Sequence, residues 1–195
     1  MLSDQREQGR RLVLDAIRRS GRVARIDLAR TTGISQATVT SITSELLREG
    51  LIEEVPREDT EQEGRRGRPR IDLKPRGEAH IVAGMKIAHL SISVVFLDYE
   101  GTELGAFETD IEKESYVEDE FAALVSNTLN EAAKCCGVES ERVSALGLGL
   151  SGIVDVGRGI VYWSPSLSSR NVRLQEVLVD QLSVPVFIDN DANLV

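Results

Sequence analysis

The chain is short of cysteine and of long apolar runs, and each shortage removes a class of protein. Its only cysteines, Cys135 and Cys136, are neighbours in a stretch with helical periodicity. Adjacent residues on a helix suit neither a disulfide framework nor a metal site, so the pair reads as two small helix residues. No run of about 18 apolar residues exists to span a bilayer. The N-terminus, MLSDQREQGRR, is too charged for a secretory signal. A cytoplasmic protein with no membrane partner is therefore expected. Internal repeats and low-complexity tracts are also missing. The 195 residues suffice for one large or two small domains, each with its own core.

Net charge is −9, which taken as a sum opposes nucleic acid. The sum hides a division. Residues 1–76 carry 16 basic and 13 acidic side chains and residues 77–195 carry 7 and 19, so the two parts stand at +3 and −12. Fifteen of the sixteen N-terminal basic residues are arginine, whose planar fork suits phosphates and base edges. The asymmetry predicts a DNA-binding module over 1–76 joined to an acidic domain of another purpose over 77–195.

Within the basic part, Leu12, Val13, Ala16 and Ile17 recur at helical spacing and are closed by Ser20-Gly21. A second, shorter helix fits Ile26 to Thr32, with Leu28 and Ala29 inward. In TGISQATVTSITSELLREG, Gly33 ends that helix, Ile34 plugs the turn, and Ser35 caps a third helix that Gly50 terminates. Val39, Ile42, Leu46 and Leu47 make its buried stripe. Gln36, Ala37, Thr38, Thr40, Ser41 and Ser44 are left outward. An ordinary solvated face would be rich in Glu and Lys. Short hydroxyl and amide side chains instead let a helix lie deep in the major groove, where Gln pairs bidentately with adenine and a Thr or Ala methyl meets a thymine methyl. Ser35, Gln36, Ala37, Thr38, Thr40, Ser41 and Ser44 are the expected DNA-contacting residues of a helix-turn-helix; a plain three-helix bundle with a small-residue face is the competing reading.

Leu51 to Val55 reads as a strand and Ile71 to Leu73 as its partner, with the polar PREDTEQEGRRGRPR between them: the outline of a wing. Arg65, Arg66, Arg68 and Arg70 alternate with Gly67 and Pro69, an extended arginine segment suited to a narrow, electronegative minor groove. Glu58, Asp59, Glu61 and Glu63 precede Gly64, so DNA contacts are expected at Arg65, Arg66, Gly67, Arg68 and Arg70.

From His80 the period changes from 3.6 to that of strands. His80 to Leu90, Ser91 to Leu97 and Thr102 to Ile111 read as a meander, with Asp98-Tyr99-Glu100-Gly101 as a turn. Val117 to Cys136 is amphipathic through Phe121, Leu124, Val125, Leu129 and Ala132 and stops at Gly137. Ala145 to Leu150 reads as a buried strand, Leu174, Val177, Leu178 and Leu182 as a helix, and Pro185 opens a final strand that carries Asp189. Meander, helix, strand, helix, strand is the element order of the ribonuclease-H-like lobe of actin and hexokinase. The expected fold class is therefore α/β, with an N-terminal α+β winged helix-turn-helix and, in the second domain, the first lobe of an actin/hexokinase-like fold. Ligands of open α/β sheets sit beyond the carboxyl ends of strands, which puts Ser151-Gly152 and Asn190-Asp191 at one mouth. Asn offers a donor and an acceptor and a carboxylate an acceptor to sugar hydroxyls, although such residues also satisfy backbone groups in ordinary strand-end turns.

The stretch GLGLSGIVDVGRGIVYWSPSLSSRNVRLQEVLVDQLSVPVFIDNDAN resembles the ROK family (repressor, open reading frame, kinase), which combines sugar kinases with sugar-responsive repressors bearing an N-terminal winged helix. The resemblance covers nearly the whole chain. It implies a transcriptional repressor of carbohydrate-metabolism genes that binds a double-stranded DNA operator as a homodimer or higher homo-oligomer and answers to a sugar or phosphosugar effector. The ligand set it implies is Ser151, Gly152, Ser166, Asn190 and Asp191, with Asp191 standing where the family's kinases keep a general base. Ser166 occupies the middle of Pro165-Ser166-Leu167, where relatives often carry Pro-Asn-Leu. Kinases of the family also carry Asp-x-Gly-Gly-Thr between the first two strands; GMKIAHLSI places Lys86, Ala88, His89 and Leu90 at those points. A cation in place of a metal-binding carboxylate is expected to abolish phosphoryl transfer, so no enzyme is expected, an ATP-dependent sugar kinase being the alternative. The resemblance further implies that the second lobe, with its histidine and cysteine zinc cluster, lies beyond residue 195, so no cofactor is expected within this chain.

Overall fold

A computed structural model describes residues 2–57 and 71–193, and the chain divides into two compact units, Met1–Ala79 and His80–Val195.

The first unit begins with α1 (Leu2–Ser20), α2 (Arg25–Thr32) and α3 (Gln36–Arg48). Val13, Ile17, Leu28, Val39, Ile42 and Leu46 are almost fully excluded from solvent and form one core with Ile52 and Leu73, each contributing roughly 1.5–3 kcal/mol by burial. Two sequence expectations shift. Leu12 is 48% exposed, one position off the buried arc. In α3 the fourth fully inward residue is Thr43 and not Leu47, which is only half-buried. Gly33 takes φ 70°, a left-handed conformation that closes α2 and redirects the chain into α3. Strands β1 (Ile52–Pro56) and β2 (Ile71–Pro75) pair antiparallel, Val55 opposite Asp72, each running two residues or less past its expected limits. Val23 adds a rung that pattern reading missed: its N–H donates to the Leu73 carbonyl (3.0 Å) and Leu73 returns the bond at 2.8 Å.

The second unit is a five-stranded mixed sheet. Strands β3 (Ile81–Ile87), β4 (Ser91–Asp98) and β5 (Glu103–Asp110) form the antiparallel meander, and β6 (Val143–Leu150) and β9 (Val186–Asn190) add in parallel, giving the order β5-β4-β3-β6-β9. The parallel steps need crossovers, supplied by α4 (Glu118–Cys136) between β5 and β6 and α5 (Leu174–Leu182) before β9. Acidic Glu118, Asp119 and Glu120 begin α4 and Lys134 ends it, matching the helix dipole. Alternate strand residues such as Met85, Phe96, Leu148 and Ile188 pack with Phe121, Val125, Leu174 and Leu178 of the two helices into a single core. A further hairpin, β7 (Ile153–Asp155) with β8 (Ile160–Trp163), follows β6 directly; its strands are too short for alternation to announce them. Cys136 is half-buried against Gly105, and Cys135 is exposed, both as free thiols. No helix among the described residues is long and apolar enough to cross a membrane.

Candidate nucleic-acid interface and strand-end cleft

The position of α3 is set from three sides. Val39, Ile42 and Leu46 enter the core. Arg25 on α2 donates from Nε to the buried Thr43 hydroxyl (3.2 Å) and from Nη2 to Glu54 (2.6 Å), tying α3 to β1. On α1, Arg6 pairs with Glu45 and Arg10 with Glu49, so two arginines one turn apart grip two glutamates one turn apart. The hydrogen bond with Glu49 raises the Arg10 pKa, and the same bond holds the Glu49 carboxyl below its ordinary range. These pairs were legible only as matching i,i+4 spacings at opposite ends of the domain.

With the stripe and flanks fixed, Ser35, Gln36, Ala37, Thr38, Thr40, Ser41 and Ser44 are all exposed. The Ser35 hydroxyl accepts from the Thr38 N–H (3.2 Å), capping the helix, and lies 2.9 Å from the Thr38 hydroxyl. Thr40 and Ser44 donate back to the carbonyls of Gln36 and Thr40, each at 2.8 Å. Gln36 and Ser41 carry no side-chain hydrogen bond among the described residues. The surface thus shows methyls, four bonded hydroxyls, the unbonded hydroxyl of Ser41 and one unspent amide, and Gln36 through Ser44 contains no charged side chain. Such a face can approach base edges closely without stripping water from a charge. Arg65, Arg66, Gly67, Arg68 and Arg70 lie outside the described residues.

In the second unit, parallel β6 and β9 run side by side with Leu150 opposite Asn190, so both strand ends open at one edge. Ser151 Oγ donates to Asp191 Oδ2 at 3.0 Å. The Asn190 amide donates to the Gly152 carbonyl, and its oxygen accepts from the Ala192 N–H at 2.8 Å. Both ends of the Asn190 side chain are therefore committed to backbone, whereas Asp191 keeps Oδ1 without a partner among the described residues. Gly152 has φ 149°, and a Cβ there would stand 2.2 Å from the Trp163 carbonyl oxygen; the hairpin closes on it that tightly. Ser166 is buried at 6% exposure. Its N–H donates to Ser164 Oγ (3.2 Å) and its carbonyl accepts from the Tyr116 N–H (3.1 Å), and no hydrogen bond joins it to Ser151 or Asp191. The structure brings four of the five expected ligand residues together by hydrogen bonds; Ser166 is buried and takes part in none of those bonds.

Lys86 is exposed on the sheet face opposite the helices, in a row in which Lys86 faces Gly149 and Gly149 faces Asp189. Glycine leaves the row open between cation and carboxylate, and both line a concavity of about 840 Å³. Lys86 makes no ion pair among the described residues. Those residues also contain no group of three or more His, Cys, Asp and Glu able to hold a metal ion.

A winged helix-turn-helix with an uncharged outward face, followed by a mixed sheet in ribonuclease-H-like order, defines a two-part architecture, and comparison with known proteins agrees. Residues 10–53 match the winged helix-turn-helix DNA-binding family and residues 100–195 match the ROK family. The chain thus carries a winged helix-turn-helix followed by a ROK family domain. It is 25% identical over 191 residues to the xylose repressor of Caldicellulosiruptor bescii, covering 93% of this chain and 44% of that protein. It is 26% identical to the DNA-binding transcriptional repressor Mlc of Escherichia coli K12 over 88% of this chain and 41% of the relative. A crystal structure of a ROK family transcriptional regulator, described as a homolog of the E. coli Mlc protein, superposes with a TM-score of 0.73 at 25% identity, covering 96% of this chain and 46% of that one. The chain spans less than half the length of these relatives.

Proposed function

We propose that the chain acts as a sequence-specific, DNA-binding transcriptional repressor of carbohydrate-metabolism genes, working in the cytoplasm as a homo-oligomer whose operator affinity answers to a sugar or phosphosugar. The observation that carries this reading is the outward face of α3, exposed over all seven named positions and free of charge from Gln36 to Ser44. In the proposed complex α3 lies in the major groove with Gln36 reading a base edge, Ala37, Thr38 and Thr40 offering methyls, and Ser35, Ser41 and Ser44 offering hydroxyls. Arg65, Arg66, Gly67, Arg68 and Arg70 follow the minor groove. Relatives named as a xylose repressor and as the DNA-binding transcriptional repressor Mlc support the assignment.

The effector meets Ser151, Gly152, Asn190 and Asp191, with Ser166 shaping the floor. Asp191 Oδ1 accepts from a sugar hydroxyl while Ser151 fixes the carboxylate plane. Coupling requires only that the sugar bind the DNA-competent and DNA-released arrangements unequally, a differential of about 1–3 kcal/mol in most such systems. The test is selection of duplexes from a random pool, followed by titration of the selected duplex with and without each of a panel of monosaccharides and their 6-phosphates. An enriched motif whose affinity one sugar lowers supports the reading; no enrichment removes it.

One observation favours a second reading, an ATP-dependent sugar kinase. Asp191, held by Ser151 at the strand end, stands where a general base toward a sugar hydroxyl would be useful. Against it, Lys86 and Leu90 occupy the positions where a kinase of the family would bring a metal-binding carboxylate and a threonine. Sugar-dependent ADP release, lost in Asp191→Asn, would establish the kinase.

A further inference from the structure

We infer that the cleft between α1 and the N-terminal half of α3 is a second DNA contact, a seat for one backbone phosphate with Arg6 as its cation; the inference rests on the DNA-binding reading above. The cleft, about 500 Å³, is lined by Gln5, Arg6 and Gly9 on one side and Ala37, Thr38 and Ser41 on the other. Ala37, Thr38 and Ser41 belong to the outward face of the recognition helix, so a duplex lying against that face also lies along this cleft. At Gly9 α1 packs closely on this part of the domain: a Cβ there would stand in ordinary van der Waals contact with Ile42 Cδ1 at 3.5 Å and Ile34 Cδ1 at 3.8 Å.

Two α1 arginines reach toward α3, and their engagement differs. Arg10 is three-quarters buried, 24% exposed, and spends both terminal nitrogens on Glu49, which makes it a structural clamp. Arg6 is 69% exposed and gives only Nη2 to Glu45, whose side chain is 19% exposed. Its Nε and Nη1 carry no hydrogen bond among the described residues. A guanidinium anchored on one edge by a half-buried carboxylate and open to solvent on the other is oriented without being satisfied. The open edge has the fork geometry that accepts a phosphate oxygen pair. A free, fully hydrated arginine would lose rotamer entropy on binding; Glu45 has already removed much of that cost. The neighbours Gln5, Thr38 and Ser41 add neutral donors and no competing carboxylate.

Such a contact positions the helix in its groove and carries no base information. Fluorescence anisotropy of the full chain on a labelled ~30-base-pair duplex, titrated between about 50 and 200 mM salt, reads it directly. Arg6→Ala and Arg6→Gln, the latter keeping the stem, are expected to reduce the slope of log affinity against log salt by about one per bound protomer. Arg6→Lys is expected to keep the wild-type slope, and the Arg10–Glu49 pair to hold each variant folded, checked by its melting temperature. A wild-type slope in both Arg6→Ala and Arg6→Gln overturns the inference and leaves Arg6–Glu45 as a packing pair. A slope lost equally in Arg6→Lys also overturns it, because cation charge would then not be the agent. A wild-type chain that binds no duplex at any salt sinks the DNA reading itself, and this inference with it.

Discussion

Ser151 and Asp191, forty positions apart in the chain, meet at 3.0 Å where the ends of β6 and β9 open side by side. One hydrogen bond thus joins the two strand-end turns and leaves the other oxygen of Asp191 without a partner among the described residues. Ser151→Ala is expected to lower the unfolding free energy by about 1 kcal/mol, because a partly buried charge-assisted bond is lost, and to be measurable in urea. Asp191→Ala is expected to abolish the rise in melting temperature that the effector sugar gives the wild-type chain. A full thermal response in that variant would move the sugar site elsewhere.

Gly152 tests the same corner from the backbone. An alanine there must hold φ near 149° with its Cβ 2.2 Å from the Trp163 carbonyl oxygen and 3.0 Å from Ser164 Cα. Neither obstacle is a flexible side-chain end. Gly152→Ala is expected to cost roughly 3 kcal/mol or more, visible as a shifted urea midpoint of the second unit. A variant of native stability would mean that the hairpin can swing away from β6.

Much of this was readable beforehand, and the failures share a cause. The stripe Val39, Ile42 and Leu46 and the core strand Ala145 to Leu150 were visible because periodicity reports burial against one partner. Thr43 was invisible because its burial depends on Arg25, a residue on another helix that supplies its hydrogen bond. The β7–β8 hairpin and the Val23 rung are too short for any period. At the cleft, type and spacing placed Ser151, Gly152, Asn190 and Asp191 together, but could not tell that Asn190 spends its amide on backbone or that Ser166 is enclosed.

The Arg10–Glu49 pair carries a pH signature. Hydrogen bonding to Arg10 lowers the folded pKa of Glu49. Its stabilisation is therefore present above the unfolded carboxyl value of about 4.3 and is lost as pH falls through the folded one. Arg10 is raised above its already strongly basic ordinary value by the bond to Glu49, so its share disappears only in strong alkali. The melting-temperature gap between wild type and Glu49→Gln is expected to be flat from neutral pH to about pH 5 and to close below it. A gap that persists undiminished in acid would assign the effect to packing.

Ser35 serves the fold and the proposed interface together. Removing its cap on the Thr38 N–H is expected to cost about 1 kcal/mol in Ser35→Ala. Ser35→Asp restores a cap acceptor and stability, but places a negative charge at the DNA face. Recovery of the melting temperature with weakened duplex binding is the expected pair of results. Duplex binding that recovers along with stability would place Ser35 away from the phosphates.

Duplex selection from a random pool with wild type and Gln36→Ala in parallel decides whether the face from Gln36 to Ser44 reads base edges. The expected result is a motif enriched by both proteins, in which the variant loses preference at one base pair and keeps it elsewhere, a discrimination of about 1–3 kcal/mol. Identical motifs, with affinity lowered evenly over every duplex or not at all, would contradict it.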